Sequence, residues 1–344
     1  MSNTIKNILV IRLSSIGDIL LASPLLRLLR QRFPDAHIDF VIKSRYVDAI
    51  RTNPHLDTVY PLETSAGHSA LQEMRRQLRM HHYELVVDIH NNFRSHYLRK
   101  IPDAHVVVVN KYKWRRFLLV CFGWNLYKQI VPVYQRYINT VAHLGVEDDE
   151  EGLEFCIDTE RQSAIRTKLD EMGFQFDKKT VAIAPGASFY TKRWPLDYFI
   201  AVAKALQSAL DIQCILLGDK QDAELTRGLA EALNESTYDV AGQLSLMESA
   251  CALNCADVLL TNDTGLMHLA TALGKPTVSI FGSTVKELGF FPVGNNVMVI
   301  ENVGLSCRPC THIGRKSCPR KHFKCMKEIE PQRVFDALAS LLKT

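Results

Sequence analysis

The stretch "NILVIRLSSIGDILLASPLLRLLRQRFP", Asn7 to Pro34, sets the fold. Its first residues are a short, β-branched apolar run. A compact turn with a single glycine, Gly17, follows, and then apolar residues recur at three- and four-residue spacing through Leu25, Leu28, Leu29 and Phe33. A short continuous apolar run giving way to period 3.6 across a tight turn predicts strand, turn, helix. In parallel α/β sheets such a turn lies at a strand's carboxyl end, where ligands bind. A phosphate cradle is expected to be glycine-rich, whereas this turn carries Asp18, whose charge repels an anion at that helix end. Two readings of Asp18 follow: a helix N-cap, or a carboxylate placed to take a proton from a hydroxyl.

The same alternation continues outward. Strands are predicted at "NILVIRL", "HIDFVIK", "TVYPL", "LVVDIH" and "HVVVVN", then in a second series at "TVAIAPG", "IQCILLGD", "VLLTND", "TVSIFGS" and "NVMVIE". Helices in the second series are predicted near 196–210, 222–234, 246–254 and 265–273. Parallel strands need helical crossovers, so two βα series predict two doubly wound parallel sheets. The expected boundaries are 1–165 and 166–325, with 326–344 a terminal helix free to pack on either domain, the first included. The acidic "VEDDEEG" (146–152) and the polar region 158–179 are read as linker.

With 344 residues, 47% hydrophobic and 23% charged, the chain suits a two-domain globular protein. It has no run of about 18 apolar residues to span a bilayer, and "MSNTIKN" has no apolar leader region, so a cytoplasmic location is expected. Forty-one basic against 37 acidic residues is a mild balance, which argues against general nucleic-acid binding, since that needs a concentrated basic face. Local basic clusters stand at "KYKWRRF" (111–117) and in 308–327, read as solvated faces or as sites for an anionic ligand or lipid headgroups.

Four segments carry chemistry. In "PGASFYTKRWPLDYF" (185–199), Gly186 and Ser188 offer donors after a strand, and Lys192 brings a charge suited to a diphosphate; a structural turn with an exposed lysine is the plainer alternative. In "TNDTGLMHLATALGKPTVSIFGST" (261–284), the N–H groups of Thr264, Gly265 and Leu266 open a helix whose dipole favours an anion. Asp263 there is either a helix cap or a ligand contact, and His268 lies about a turn in. In "LLGDKQDAEL" (216–225), Asp222 or Glu224 is placed to accept ribose hydroxyls or to complement a helix dipole. In "DIHNNFRSHYLRK" (88–100), Arg94 and Arg99 are read as an anion-holding pair or a solvated helix face.

Together, "IRLSSIGDILLASPLLRLLR", "TKRWP" and "TNDTGLMHLATALGKPTVSIFG", in this order, resemble glycosyltransferase family 9, the ADP-heptose:lipopolysaccharide heptosyltransferases. The resemblance implies a GT-B architecture of two Rossmann-like domains facing a central cleft, with the acceptor on the first domain and the nucleotide-sugar donor on the second. It implies an inverting transfer that uses no metal or other cofactor, from ADP-heptose to a hydroxyl of the lipopolysaccharide core. Carried across by position, Asp18 is the catalytic base. Ser188, Lys192, Thr264, Gly265 and Leu266 contact the donor phosphates. Asp222 faces the ribose, while Asp263 and His268 line the donor sugar and phosphates. Arg94 is on the acceptor side. A core acceptor implies work at the inner face of the inner membrane, for which "WRRFLLVCFGW" (114–124) is a surface candidate; a buried helix is the expected reading of that segment. The alternatives are transfer of another sugar or to another core position, or a non-catalytic nucleotide-sugar binding protein.

Nine cysteines include a C-x2-C-x7-C-x6-C array at Cys307, Cys310, Cys318 and Cys325. Its second pair is too widely spaced for a standard zinc ribbon or finger. Structural thiols or occasional disulfides are the expected reading, and zinc the alternative.

Overall fold

Among the described residues eleven strands form two sheets, and every paired strand in both runs parallel to its neighbour. The computed structural model describes residues 5–65 and 67–343. The chain divides into two units, one of Met1–Lys113 with Val131–Cys156, the other of Trp114–Ile130 with Ile157–Thr344.

In the first unit the strands are β1 (Asn7–Ile11), β2 (His37–Lys43), β3 (Thr58–Leu62), β4 (Leu85–Asp88) and β5 (His105–Val108), in the order β3-β2-β1-β4-β5. Its helices are α1 (Ile16–Leu20), α2 (Ser23–Arg32), α3 (Gly67–Leu78) and α4 (Phe93–Leu98). Helix α5 (Lys113–Phe122) leads into the second unit, and the chain returns with α6 (Val133–Ile138). Central β1 is sealed on both faces, with Ile8, Leu9, Val10 and Ile11 fully buried, as an unbroken apolar run in a parallel sheet requires. The strand was expected to reach Leu13. Regular pairing stops at Ile11, but Arg12 N–H still donates to Val41 O at 3.1 Å, and Leu13 O accepts from Lys43 N–H at 3.2 Å. Leu25, Leu28, Leu29 and Phe33 of the opening stretch all face the core.

The second unit holds β6 (Thr180–Ala184), β7 (Gln213–Leu216), β8 (Thr237–Asp239), β9 (Val258–Asn262), β10 (Thr277–Phe281) and β11 (Val297–Glu301), ordered β11-β10-β9-β6-β7-β8. Around this sheet run α7 (Thr159–Glu171), α8 (Leu196–Leu210), α9 (Ala223–Ala232), α10 (Leu246–Asn254), α11 (Gly265–Ala272), α12 (Lys324–Lys327) and α13 (Pro331–Leu342). The four helices read from periodicity are present. The edge strand β8 escaped that reading because three residues, "TYD", are too few to show alternation.

Two further differences have clear causes. The polar region 158–179 is not loose linker: Asp158 caps α7 by accepting from Arg161 N–H at 3.0 Å, and Ile165 and Leu169 are buried. The terminal helix α13 buries Val334, Leu338 and Leu342 in the second unit's core with Phe199, Val202 and Leu206 of α8.

The acidic stretch after α6 is anchored by charge. Arg27, on the buried side of α2, grips Asp149 through two hydrogen bonds of 2.8 Å and reaches Glu154 at 3.0 Å. Its Nη2 also donates to Gly152 O. Arg27→Met, keeping the aliphatic stem, leaves Asp149 without its cation and Glu154 with His55 alone at 2.9 Å; a loss of about 2–3 kcal/mol is expected in denaturant unfolding. Asp149→Asn, which keeps one hydrogen bond, should cost less.

Candidate active site

The carboxyl ends of β1 and β4 assemble a charged cluster in the first unit. Arg12 follows β1 directly, is almost fully buried, and meets Asp18 at 2.6 Å. Its Nη1 donates to Ile89 O at 2.6 Å, and its guanidinium lies over the Tyr137 ring, 5.6 Å from the centroid. Asp18 Oδ2 accepts from Ser15 Oγ at 2.9 Å and from Ser15 N–H at 3.2 Å, and Tyr137 OH donates to Oδ1 at 3.4 Å.

Asp18 is therefore not the N-cap. Ser15 holds that position, and Asp18, three residues on, closes a capping box from inside α1. Gly17 sits in the helix's first turn. Burial pushes the Asp18 pKa up, but Arg12 and the Ser15 hydrogen bonds outweigh it and hold the carboxyl below its ordinary range. At neutral pH the group is an ionised, oriented carboxylate, the form a proton acceptor needs.

Two further groups border this cluster: Lys111, which the sequence offered only as the start of the basic run 111–117, and His90, which was not singled out. Lys111 is half-buried; burial and then Arg12 push its pKa down to about 8, against the pull of Asp18 and Asp88. His90 is buried, and burial with Arg12 and Lys111 drives it down to about 3, so it is neutral in water of ordinary pH. Its Nδ1 has no hydrogen-bond partner among the described residues. The signal for His90 existed in sequence only as nearness to a strand end, which many residues share.

The two arginines of "HNNFRSHYLRK" have different fates. Arg99 binds Asp88 at 2.9 Å, and Asp88 also accepts from Ser95 Oγ and from the N–H groups of His90 and Asn91. Arg99 thus holds the β4–α4 turn together, while Arg94 stands exposed on α4.

In the second unit, the carboxyl ends of β6, β9 and β10 bring Lys192, Asp263 and Thr284 together. Lys192 Nζ meets Asp263 Oδ2 at 2.7 Å, and Thr284 Oγ1 donates to the same oxygen at 2.7 Å. The Lys192 side chain is 15% exposed, so it is not the exposed lysine of a plain turn. Asp263 does not cap α11; Thr264 occupies that position with extended backbone. Thr264, Gly265 and Leu266 remain partly accessible at the helix start, and His268 is buried one turn in. Ser188 is exposed on the loop after β6.

Asn262, also unremarked in the sequence, joins these pieces. Fully buried, it donates from Nδ2 to Pro185 O at 2.8 Å and accepts Trp194 N–H at 3.1 Å, clasping both ends of the Lys192 loop. Asp222 precedes α9 without capping it through its side chain, and burial followed by the nearby Asp219 raises its pKa. A Cβ at Gly186 would lie 2.0 Å from Asp222 Oδ1, so only glycine lets the β6 loop and this carboxylate meet. Glu224 is exposed.

The cysteine-rich segment braces the same loop. Thr191 N–H donates to Arg315 O at 3.1 Å, Arg315 N–H donates to Thr191 Oγ1 at 2.8 Å, and Tyr190 stacks on Phe323 at 4.8 Å. Arg308, its side chain 5% exposed, binds Glu301 at 2.7 Å and the carbonyls of Gly282 and Thr284. All nine cysteines are free thiols, and among the described residues no three His, Cys, Asp or Glu side chains group as metal ligands. Burial raises the Cys310 thiol and pushes Cys325 up to about 11.

Residues 71–321 match the sequence profile of glycosyltransferase family 9 (heptosyltransferase). The chain belongs to this family. It is accordingly a glycosyltransferase. A lipooligosaccharide heptosyltransferase 2 from Campylobacter jejuni is 29% identical over 95% of this chain and 96% of its own length. A family 9 glycosyltransferase from Veillonella parvula superposes with a TM-score of 0.84 at 24% identity, covering 100% of this chain and 99% of that one. The ADP-heptose lps heptosyltransferase II of Escherichia coli gives 0.72 at 23% identity, covering 98% of each. The two parallel-sheet α/β units are thus the Rossmann-like pair expected of a GT-B enzyme.

The clasp at Asn262 is testable without substrate. Asn262→Ala leaves a buried carbonyl and the Trp194 N–H without partners, and a loss of about 1–3 kcal/mol is expected. Faster amide exchange across residues 186–194 should accompany it; unchanged exchange there would remove the clasp from the account of the loop.

Proposed function

We propose that this family 9 glycosyltransferase moves a heptose from ADP-heptose to a hydroxyl of the lipopolysaccharide inner core, inverting the anomeric centre and using no metal. The observation that carries the reading is Asp18: a carboxylate kept ionised by Arg12 and oriented by Ser15, on a turn where a phosphate would be repelled. Asp18 accepts the acceptor hydroxyl's proton as its oxygen attacks the anomeric carbon, and ADP departs from the opposite face.

The second unit holds the donor. Lys192, steadied by Asp263, and the N–H groups of Thr264, Gly265 and Leu266 meet the diphosphate, supplying the counter-charge a metal supplies elsewhere. Ser188 contributes a hydroxyl to the phosphates. Asp222 takes the ribose, and Asp263 with His268 borders the donor sugar. On the acceptor side, exposed Arg94 and half-buried Lys111 suit an anionic core saccharide. Its lipid anchor would bring the enzyme to the inner membrane from the cytoplasm. The names of the relatives support the donor and acceptor classes: the Campylobacter protein is called a lipooligosaccharide heptosyltransferase, and the E. coli structure an ADP-heptose heptosyltransferase.

The test is incubation with ADP-heptose and truncated core acceptors in the presence of a chelator. Mass spectrometry should show one added heptose, and NMR an inverted anomeric configuration. No product with any acceptor would reject the donor–acceptor reading, and loss of product to the chelator would reject metal independence. Asp18→Asn should bind ADP as before and lose about 10²–10⁴ in turnover; near-normal turnover would remove Asp18 as the base.

Lys111 gives a pH signature. It is cationic below about 8 and neutral above, so KM for an anionic acceptor should rise as pH passes through that value. Lys111→Met should show the weaker KM on both sides of pH 8, with the rise abolished.

A further inference from the structure

Helix α5 contradicts the expectation of a buried helix: Leu119 is its one buried residue. Trp114 is 79% exposed, Phe117 49%, Phe122 57% and Trp124 61%. These four rings are not scattered. Trp114 meets Phe117 at 6.3 Å, Phe117 meets Phe122 at 5.9 Å, and Phe122 meets Trp124 at 5.4 Å, forming one continuous aromatic ladder on the surface. Exposed Leu126 and Ile130 extend the apolar stretch beyond it. Soluble surfaces carry single apolar residues readily, but a contiguous group of this kind marks an interaction site.

The local fold holds the rings out. Gly123, at φ +71°, ends α5 in the left-handed conformation, its N–H and that of Trp124 closing on the carbonyls of Leu119 and Leu118. That reversal brings Trp124 back against Phe122, which meets Phe117 within α5. Asn125 Nδ2 then donates to Glu287 Oε1 at 3.0 Å, tying the end of the ladder to the body of the second unit.

Charge identifies the partner. Residues 104–146 contain no aspartate or glutamate, and Lys113, Arg115, Arg116 and Lys128 stand on or next to the ladder's own segment; Lys111 and Arg136, in the same span, belong to the Asp18 cluster and to the interior. Aromatic rings interleaved with cations match the boundary between headgroups and acyl chains of an anionic bilayer. A second copy of the chain is a poor match, because a symmetric pairing would set this cationic face against itself.

We propose that residues 114–130 dock this enzyme on an anionic phospholipid bilayer, the rings entering the headgroup boundary and Arg115, Arg116 and Lys128 meeting phosphates. This deepens the lipid-linked acceptor reading by naming the surface. Its test uses vesicles free of saccharide, so a failure of docking and a failure of transfer are read separately.

The chain carries its own probe. Of three tryptophans, Trp114 and Trp124 are on the ladder and Trp194 is 2% exposed in the core. Vesicles of phosphatidylcholine with roughly one-third phosphatidylglycerol should shift the full chain's tryptophan emission to the blue, and salt should reverse the shift. Pure phosphatidylcholine should do much less. Arg116→Gln should weaken vesicle binding about fivefold. The double variant Trp114→Ser with Trp124→Ser should weaken it at least about tenfold in co-sedimentation, with an unchanged melting midpoint and the Trp194 emission retained as evidence of folding. Lack of binding to anionic vesicles, or equal binding by the folded double variant, would overturn the proposal. So would a dimer of the native chain that the double variant dissolves, since the ladder would then be covered by a second copy.

Discussion

Parallel strand pairing is the constraint on which the rest depends. With all strands of a sheet running one way, their carboxyl ends share one edge, and whatever follows each strand is delivered there. In the first unit that edge receives Arg12 from β1 and Asp88 and His90 from β4. In the second it receives the Lys192 loop from β6, Asp263 from β9 and Thr284 from β10. Residues more than seventy positions apart become neighbours because the hydrogen-bond ladder leaves them no alternative.

At both edges a basic side chain and a carboxylate set each other's position and charge. Arg12 keeps Asp18 ionised in a partly buried setting where burial alone would favour the neutral acid. Asp263 does the reciprocal service for Lys192, with Thr284 fixing the carboxylate from behind. Pairing of this kind contributes little to stability once desolvation is counted. Its effect is to fix a charged group in one orientation at the end of a strand.

The cysteine-rich segment fits the same logic through its neighbours rather than its sulfurs. Thr311 to Arg315 lies against the Lys192 loop, and Arg308 binds the ends of β10 and β11. Spacing of cysteines drew attention to this region, but the hydrogen bonds of Thr191, Arg308 and Arg315 are what relate it to the site.

The sequence by itself determined the alternation of elements, since periodicity is a local property: apolar runs became strands, and the helices at 196–210 and 265–272 stand where their spacing put them. It also determined where Asp18, Lys192 and the Asn-Asp-Thr-Gly turn would lie, because in parallel sheets the residue after a strand has only one edge to occupy. What only the tertiary structure decided was which charges meet. Whether Asp263 caps a helix or holds a lysine depends on a loop seventy residues earlier; whether Arg99 waits for a ligand or binds Asp88 depends on the turn between them. The exposure of α5 was likewise beyond periodicity. A helix rich in leucine and aromatic residues reads as core until the surrounding fold shows that nothing covers Trp114 and Trp124, since burial belongs to the neighbours and not to the residue.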